Sequence, residues 1–225
     1  SGFRQPNSAR SRMKALVLAL VLLCAPWPGG ASAVSAAGCG APMPAGAEAE
    51  IDPAGGIDRR LFDATILAET NHQRCRAGRQ ALAAGPALAR AAQGHSDWMA
   101  RTGRLSHRSD RAGARTLPDR LRAAGVGGYA FAAENIGSVA RFGVAGQRFR
   151  VVDAAGCRFA DAAGAPLPGH SYASLARRVV ALWMDSPGHR RNILDRQARR
   201  MGAAMAFDPR APHCGRYWIT QVFAG

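Results

Sequence analysis

The residues of this chain whose types suit chemistry are His107, Glu134 and His189, with His95 as a fourth imidazole upstream. Glu134 stands among Phe131, Ala132, Ala133 and Ile136, an apolar setting in which an ionised carboxylate needs a charged or hydrogen-bonding partner. A carboxylate meeting an imidazole can act as general base and proton carrier, or the two can begin a site for a divalent metal such as zinc. Catalytic zinc usually takes three protein ligands with water in the fourth place, so His107 and Glu134 form an incomplete metal site that His189 would have to complete. No cofactor is required by the sequence. Covalent catalysis has less support: there is no Gly-x-Ser-x-Gly elbow, Ser106 is only a sequence neighbour of His107, and neither an HExxH helix, a phosphate-binding glycine loop nor an EF-hand occurs.

Helices and strands must bring these positions together. Ile57, Leu61, Ala64, Ala68, Asn71 and Cys75 recur at spacings of four and three, which predicts one side of a helix ending near Gly78. Pro86 opens a second helix, with Leu88, Ala92, His95 and Met99 on one face and Gly103 as its stop; on that face His95 reads as a core histidine. A shorter helix is expected from Leu117 to Ala124, and a strand from Phe131 to Val139. The stretch 147–170, with its glycines, prolines and Cys157, reads as an inserted loop or hairpin. Tyr172, Leu175, Ala176, Val179, Val180 and Trp183 make a broad apolar helical stripe that runs directly into Ser186-Pro187-Gly188-His189. There Ser186 is expected to cap the next helix, Pro187 sits where a missing N–H costs nothing, and His189 lies in the first turn. Met201–Phe207 and Tyr217–Phe223 are apolar on both alternating faces, as strands covered on both sides are.

The chain has 225 residues, 48% of them hydrophobic and 20% charged, a globular composition suited to one domain behind a leader. Arg10, Arg12 and Lys14 precede an apolar run from Ala15 to Leu23 and the small residues Ala31, Ser32 and Ala33, so residues 1–33 read as a leader with a signal peptide. That run is too short for a permanent membrane span, and the product is expected in the periplasm, the cell envelope or the medium. Residues 34–56, rich in Ala, Gly and Pro, read as a linker, and 57–225 as the folded domain. Of the 30 basic residues the leader takes four, which leaves 26 against 15 acidic residues, a net charge of +11. All 26 are arginine. They look scattered among acidic neighbours, and GC-rich coding gives the same bias, so nucleic acid is not the expected partner; attraction to anionic envelope polymers is the alternative. Without Cys24 the cysteines are Cys39, Cys75, Cys157 and Cys214, an even number in an exported chain. Three pairings are possible, and the preferred one is Cys157 with Cys214 and Cys39 with Cys75, each joining an irregular segment to a regular element.

Four short signatures occur in linear order: Leu105-Ser106-His107, Ala133-Glu134-Asn135-Ile136, the stretch from Trp183 through Ser186-Pro187-Gly188-His189 to Leu194, and Tyr217 to Phe223. Together they resemble the CAP superfamily, the SCP-like extracellular domain of cysteine-rich secretory proteins, antigen 5 and pathogenesis-related proteins of group 1, in its bacterial form. The resemblance covers roughly 57–225 and implies an α+β fold, an alpha-beta-alpha sandwich whose central antiparallel sheet is covered by helices on both faces. Family members can bind a divalent metal with two His and two Glu in a cleft. Carried over by position, one pair falls on His107 and Glu134, but the second Glu falls on Ser186, with Asp185 adjacent, and the second His falls on Trp218. The resemblance makes His107 the candidate partner of Glu134 and leaves half of the tetrad missing. The expected function is a secreted monomeric module, noncatalytic, binding a lipid, envelope component or protein through a cleft near His107, Glu134 and His189. The alternative is a metal-assisted peptidase with Glu134 as general base and His107 and His189 beside it.

Overall fold

The computed structural model describes residues 41–225; the expected leader, Cys39 and the first part of the linker lie outside them. The elements run α1 (Arg59–Arg76), β1 (Ala83–Ala84), α2 (Pro86–Thr102), α3 (Leu117–Ala123), β2 (Ala132–Ala140), β3 (Phe149–Asp153), β4 (Arg158–Asp161), α4 (Tyr172–Asp185), α5 (Pro187–Leu194), β5 (Arg200–Asp208) and β6 (Arg216–Ala224). Strands β1, β5, β6 and β2 lie in that order in one sheet, with β5, β6 and β2 antiparallel. The sheet is mixed rather than purely antiparallel. Leaving α1, the chain runs alongside β5 in the same direction for two residues before turning at Gly85 into α2.

Helices cover both faces of this sheet. Phe62 and Ile66 of α1, Leu175, Val179 and Trp183 of α4 and Ile193 of α5 pack on Met201, Met205, Tyr217, Ile219 and Phe223. On the opposite face Leu88 and Ala92 of α2 and Leu121 of α3 meet Ala204, Val222 and Ala224, while Trp98 and Met99 meet Ile136 and Trp218. Side chains alternate across a strand, so β5 and β6 send residues into both layers, which is why they are apolar throughout. Gly202 lets α2 approach: a Cβ there would lie 2.2 Å from the backbone nitrogen of Ala89.

Two local expectations change. The buried side of α1 is Phe62, Thr65, Ile66, Glu69, Thr70, Asn71 and Arg74, so Asn71 is buried as expected whereas Ala64 is exposed. The bulky Phe62 and Ile66 claim the sheet, and small alanines carry too little apolar surface to set the rotation of the helix. Ser186 closes α4 and precedes α5 but makes no side-chain cap. As the single residue between two helices, it gives its N–H to Trp183 O at 3.2 Å and accepts Arg190 N–H at 2.8 Å on its carbonyl.

Residues 147–170 contain the β3–β4 hairpin over a small cluster of Phe142, Val144 and Phe159. A disulfide between Cys157 and Cys214 ties this hairpin to the β5–β6 connection. Cys75 is also disulfide-bonded; its expected partner Cys39 is outside the described residues. The described end of the expected linker packs onto the domain, with Ile51 buried in the main core and its N–H on His170 O at 3.0 Å.

Candidate functional site

Strand β2 forms one edge of the sheet. The Gly225–Phe131 pair exchanges both backbone hydrogen bonds, so by the antiparallel alternation Glu134 and Ile136 turn their backbone groups away from β6. Side chains from the α4–α5 layer meet those groups: Asn192 Nδ2 donates to Glu134 O at 3.2 Å and Trp183 Nε1 to Ile136 O at 2.9 Å. The Glu134 side chain points into the other layer, toward α2, α3 and the loop between them.

There its carboxylate is held from two sides. Arg120 Nη2 donates to Oε2 at 2.5 Å and His107 Nδ1 to Oε1 at 2.9 Å, while His95 Nε2 stands 4.0 Å from Oε1. Glu134 and Arg120 are 7% and 4% exposed, so this is a buried, charge-assisted pair. Burial pushes the Glu134 carboxyl up, but the hydrogen bond from His107 and the charge of Arg120 outweigh it and hold the group below the ordinary range. Because Nδ1 of His107 donates, the neutral ring carries its lone pair on Nε2, and the side chain is 55% exposed.

Arg120 also fixes the loop that carries His107. Its guanidinium donates to His107 O at 3.3 Å, Ala114 O at 3.4 Å and Arg115 O at 3.5 Å. Trp98 Nε1 donates to Asp110 Oδ1 at 2.7 Å and Ser109 Oγ to Ala114 O at 2.7 Å, so the exposed imidazole rides on an anchored loop. His95 lies in α2 beneath it, its Nε2–H on Ser106 O at 2.8 Å and its ring stacked on Trp98 with centroids 5.5 Å apart. Burial is the main reason its pKa falls below 6.5, which keeps the ring neutral.

On the other side of β2, His189 is half-buried in the first turn of α5 and accepts Asn135 Nδ2 on its carbonyl at 3.3 Å. Burial lowers its pKa first, and the charge of His107 adds to that; bonded to the neighbouring β2 residues Asn135 and Glu134, His189 and His107 lie on either side of the strand. Asn135 belongs to a buried polar chain in which Asn192 donates to Asn135, Asn135 to Gln221 and Gln221 to Thr70, at 2.9, 3.0 and 2.8 Å. Asp185 is exposed at the end of α4 and Ser186 half-buried, and neither bonds to the His107–Glu134 pair. Trp218 is buried beside Trp98 and Ile136. Its register partner is Ser138, whereas that of Glu134 is Val222, so it lies about 13 Å along the ladder at about 3.3 Å per residue.

The residue missed by sequence reasoning is Arg120. A signal for it exists: Leu117, Leu121 and Ala124 have helical spacing and Arg120 falls on the same side, so a cation faces inward on a short helix and requires a buried counter-charge. As metal donors the groups present fit poorly. Each Glu134 oxygen already has a partner, Oε2 the Arg120 guanidinium and Oε1 the His107 ring, so a cation would compete with both and sit beside the arginine's charge. Among the described residues no group of three or more His, Cys, Asp or Glu is arranged to hold a metal ion.

Residues 67–223 match the family model of the cysteine-rich secretory protein family, CAP, and the chain belongs to that family. Among solved structures it is similar to an extracellular protein containing an SCP domain from Bacillus anthracis, with 25% identity, a TM-score of 0.50 and coverage of 74% of this chain and 41% of that one. An outer surface protein from Borrelia burgdorferi gives 12% identity, a TM-score of 0.47 and coverage of 71% and 88%. A cysteine-rich secretory protein from Staphylococcus aureus gives 18%, 0.43, and 74% and 39%. The chain therefore spans about two fifths of the Bacillus anthracis protein. A comparison with curated proteins gives no match. No described helix is long and apolar enough to cross a membrane.

Proposed function

We propose that this chain is an exported, noncatalytic binding module that engages a lipid, an envelope component or a protein at the strand edge flanked by His107 and His189. The observation that carries this reading is the double engagement of Glu134. A carboxylate bonded to a buried arginine and a histidine, and held below its ordinary pKa, is a weak base for activating water. Its chemistry is anchoring: it neutralises Arg120, which fixes the 107–115 loop, which in turn presents an exposed imidazole at the rim. The extracellular SCP-domain protein of Bacillus anthracis supports export, as does the leader read from the sequence.

The test is a titration of the protein, followed by histidine ring and backbone NMR shifts, with a fatty acid, a sterol and peptidoglycan fragments in turn, beside a peptidase assay on a casein digest. The expected result is a saturable shift confined to 104–110 and 187–192 with one probe class, lost in His107→Ala, and no peptide cleavage. Cleavage that disappears in Glu134→Gln, or stoichiometric zinc that disappears in His107→Ala, would overturn the noncatalytic reading in favour of a metal-assisted peptidase.

A further inference from the structure

Four of the arginines that look scattered along the sequence converge. The C-terminal ends of α1 and α5 meet, and Arg74, Arg79, Arg196 and Arg199, together with Gly78 and Gln80, line a cavity of about 250 Å³. None of the four guanidinium groups forms an ion pair among the described residues. Arg74 is fully buried and has a structural task, since it donates to Gln80 O, Ile193 O and Asp195 O at 2.7, 2.5 and 2.9 Å. The carbonyls at the two helix ends compensate that one charge. Arg199 is likewise held by carbonyls, those of Arg196 and Ala198, whereas the buried Nε of Arg79 has no hydrogen-bond partner among the described residues. Burial is the main cause that brings the Arg74 pKa down to about 10; the like charges of Arg79 and Arg199 add to it and the Asp195 carboxylate opposes it, so four guanidinium groups face one nearby carboxylate and keep a positive excess that an anion would relieve.

We infer that this cavity is a binding site for a phosphate group, a tetrahedral oxyanion whose oxygens match several guanidinium forks at once. Arginine presents paired N–H donors that suit phosphate bidentately, and at about 30 Å³ per water the cavity holds such a group with ordered water around it. It lies at the far ends of α1 and α5 from the α5 start that carries His189, and it stands independently of the strand-edge reading. The phosphate can be a free ion or one unit of an anionic polymer that crosses Arg79, Arg196 and Arg199 above the buried Arg74.

Isothermal titration of the full chain with inorganic phosphate and with a glycerol phosphate oligomer, at low and at physiological salt, tests this. Saturable binding of at least one probe is expected, weakened tenfold or more in Arg79→Gln/Arg196→Gln and weakened by salt, with the tighter probe identifying the source. Arg74 is left intact so that both helix ends stay anchored, and an unchanged melting temperature verifies the fold. A control pair on the hairpin, Arg148→Gln/Arg150→Gln, should bind as the unaltered chain does. Absence of saturable binding for both probes, or equal losses in the two double variants, would overturn the inference, the latter by showing diffuse attraction to a basic surface.

Discussion

At the scale of single residues the site is governed by the desolvation of one carboxylate. Removing the charge by Glu134→Gln leaves Arg120 buried without a counter-ion, and a stability loss of about 3 to 5 kcal/mol is expected in urea titration. Arg120→Met should cost a similar amount, and the double variant less than the sum, since together the two substitutions remove both charges. The pH dependence follows with a definite sign. Glu134 is depressed in the folded state, so its contribution is present above the ordinary value of 4.5 and is lost as pH falls through the lower folded value. His95 is depressed below 6.5; under 6.5 the unfolded chain takes the proton first, so stability falls with falling pH there. The slope of melting temperature against pH between 7 and 5 should be shallower in His95→Gln. Glu134 and His107 were legible from residue type and motif, but Arg120 was not singled out, because a cation in an arginine-rich chain draws no notice until its place on the inward side of α3 is considered.

At the scale of elements, periodicity located α2, α4, β5 and β6 well because their stripes contain bulky residues. It misplaced the buried side of α1, where small alanines competed with Phe62 and Ile66. What no periodicity reveals is how strand β2 survives as an edge. Its outward carbonyls are met by Asn192 and Trp183, side chains that the sequence presents only as part of a motif and a core stripe. Trp183→Phe keeps most of the packing but leaves Ile136 O without its donor, and a loss of about 1 to 3 kcal/mol is expected, with faster amide exchange along β2 as the local readout. Gly202 joins α2 to β5 at backbone contact distance. Gly202→Ala should lower stability by about 3 kcal/mol, the upper part of the range for overpacking, measurable as a drop in the denaturation midpoint.

At the scale of the whole molecule, the strand order β1-β5-β6-β2 joins segments far apart in the chain, and local pattern does not specify it; the four signatures and their resemblance to a known domain implied the layered sandwich but neither the order nor the parallel β1. The same distance hid the arginine cavity, whose members come in two groups, one from the end of α1 and one from the end of α5. The Cys157–Cys214 bridge closes a separation of 57 residues, for which chain entropy gives about 4 kcal/mol. Cys157→Ser/Cys214→Ser should lose stability of that order and loosen the β3–β4 hairpin first, seen as early proteolysis between 147 and 170. The two helical layers, the edge strand and the anchored loop meet at Glu134, so its ionisation reports on the assembly most directly. A carbon-detected NMR titration of the Glu134 carboxyl should give a midpoint below 4.5, with the His107 ring responding to the same transition. A midpoint at or above 4.5, as a carboxyl freed from Arg120 and poised for proton transfer would show, would contradict the account.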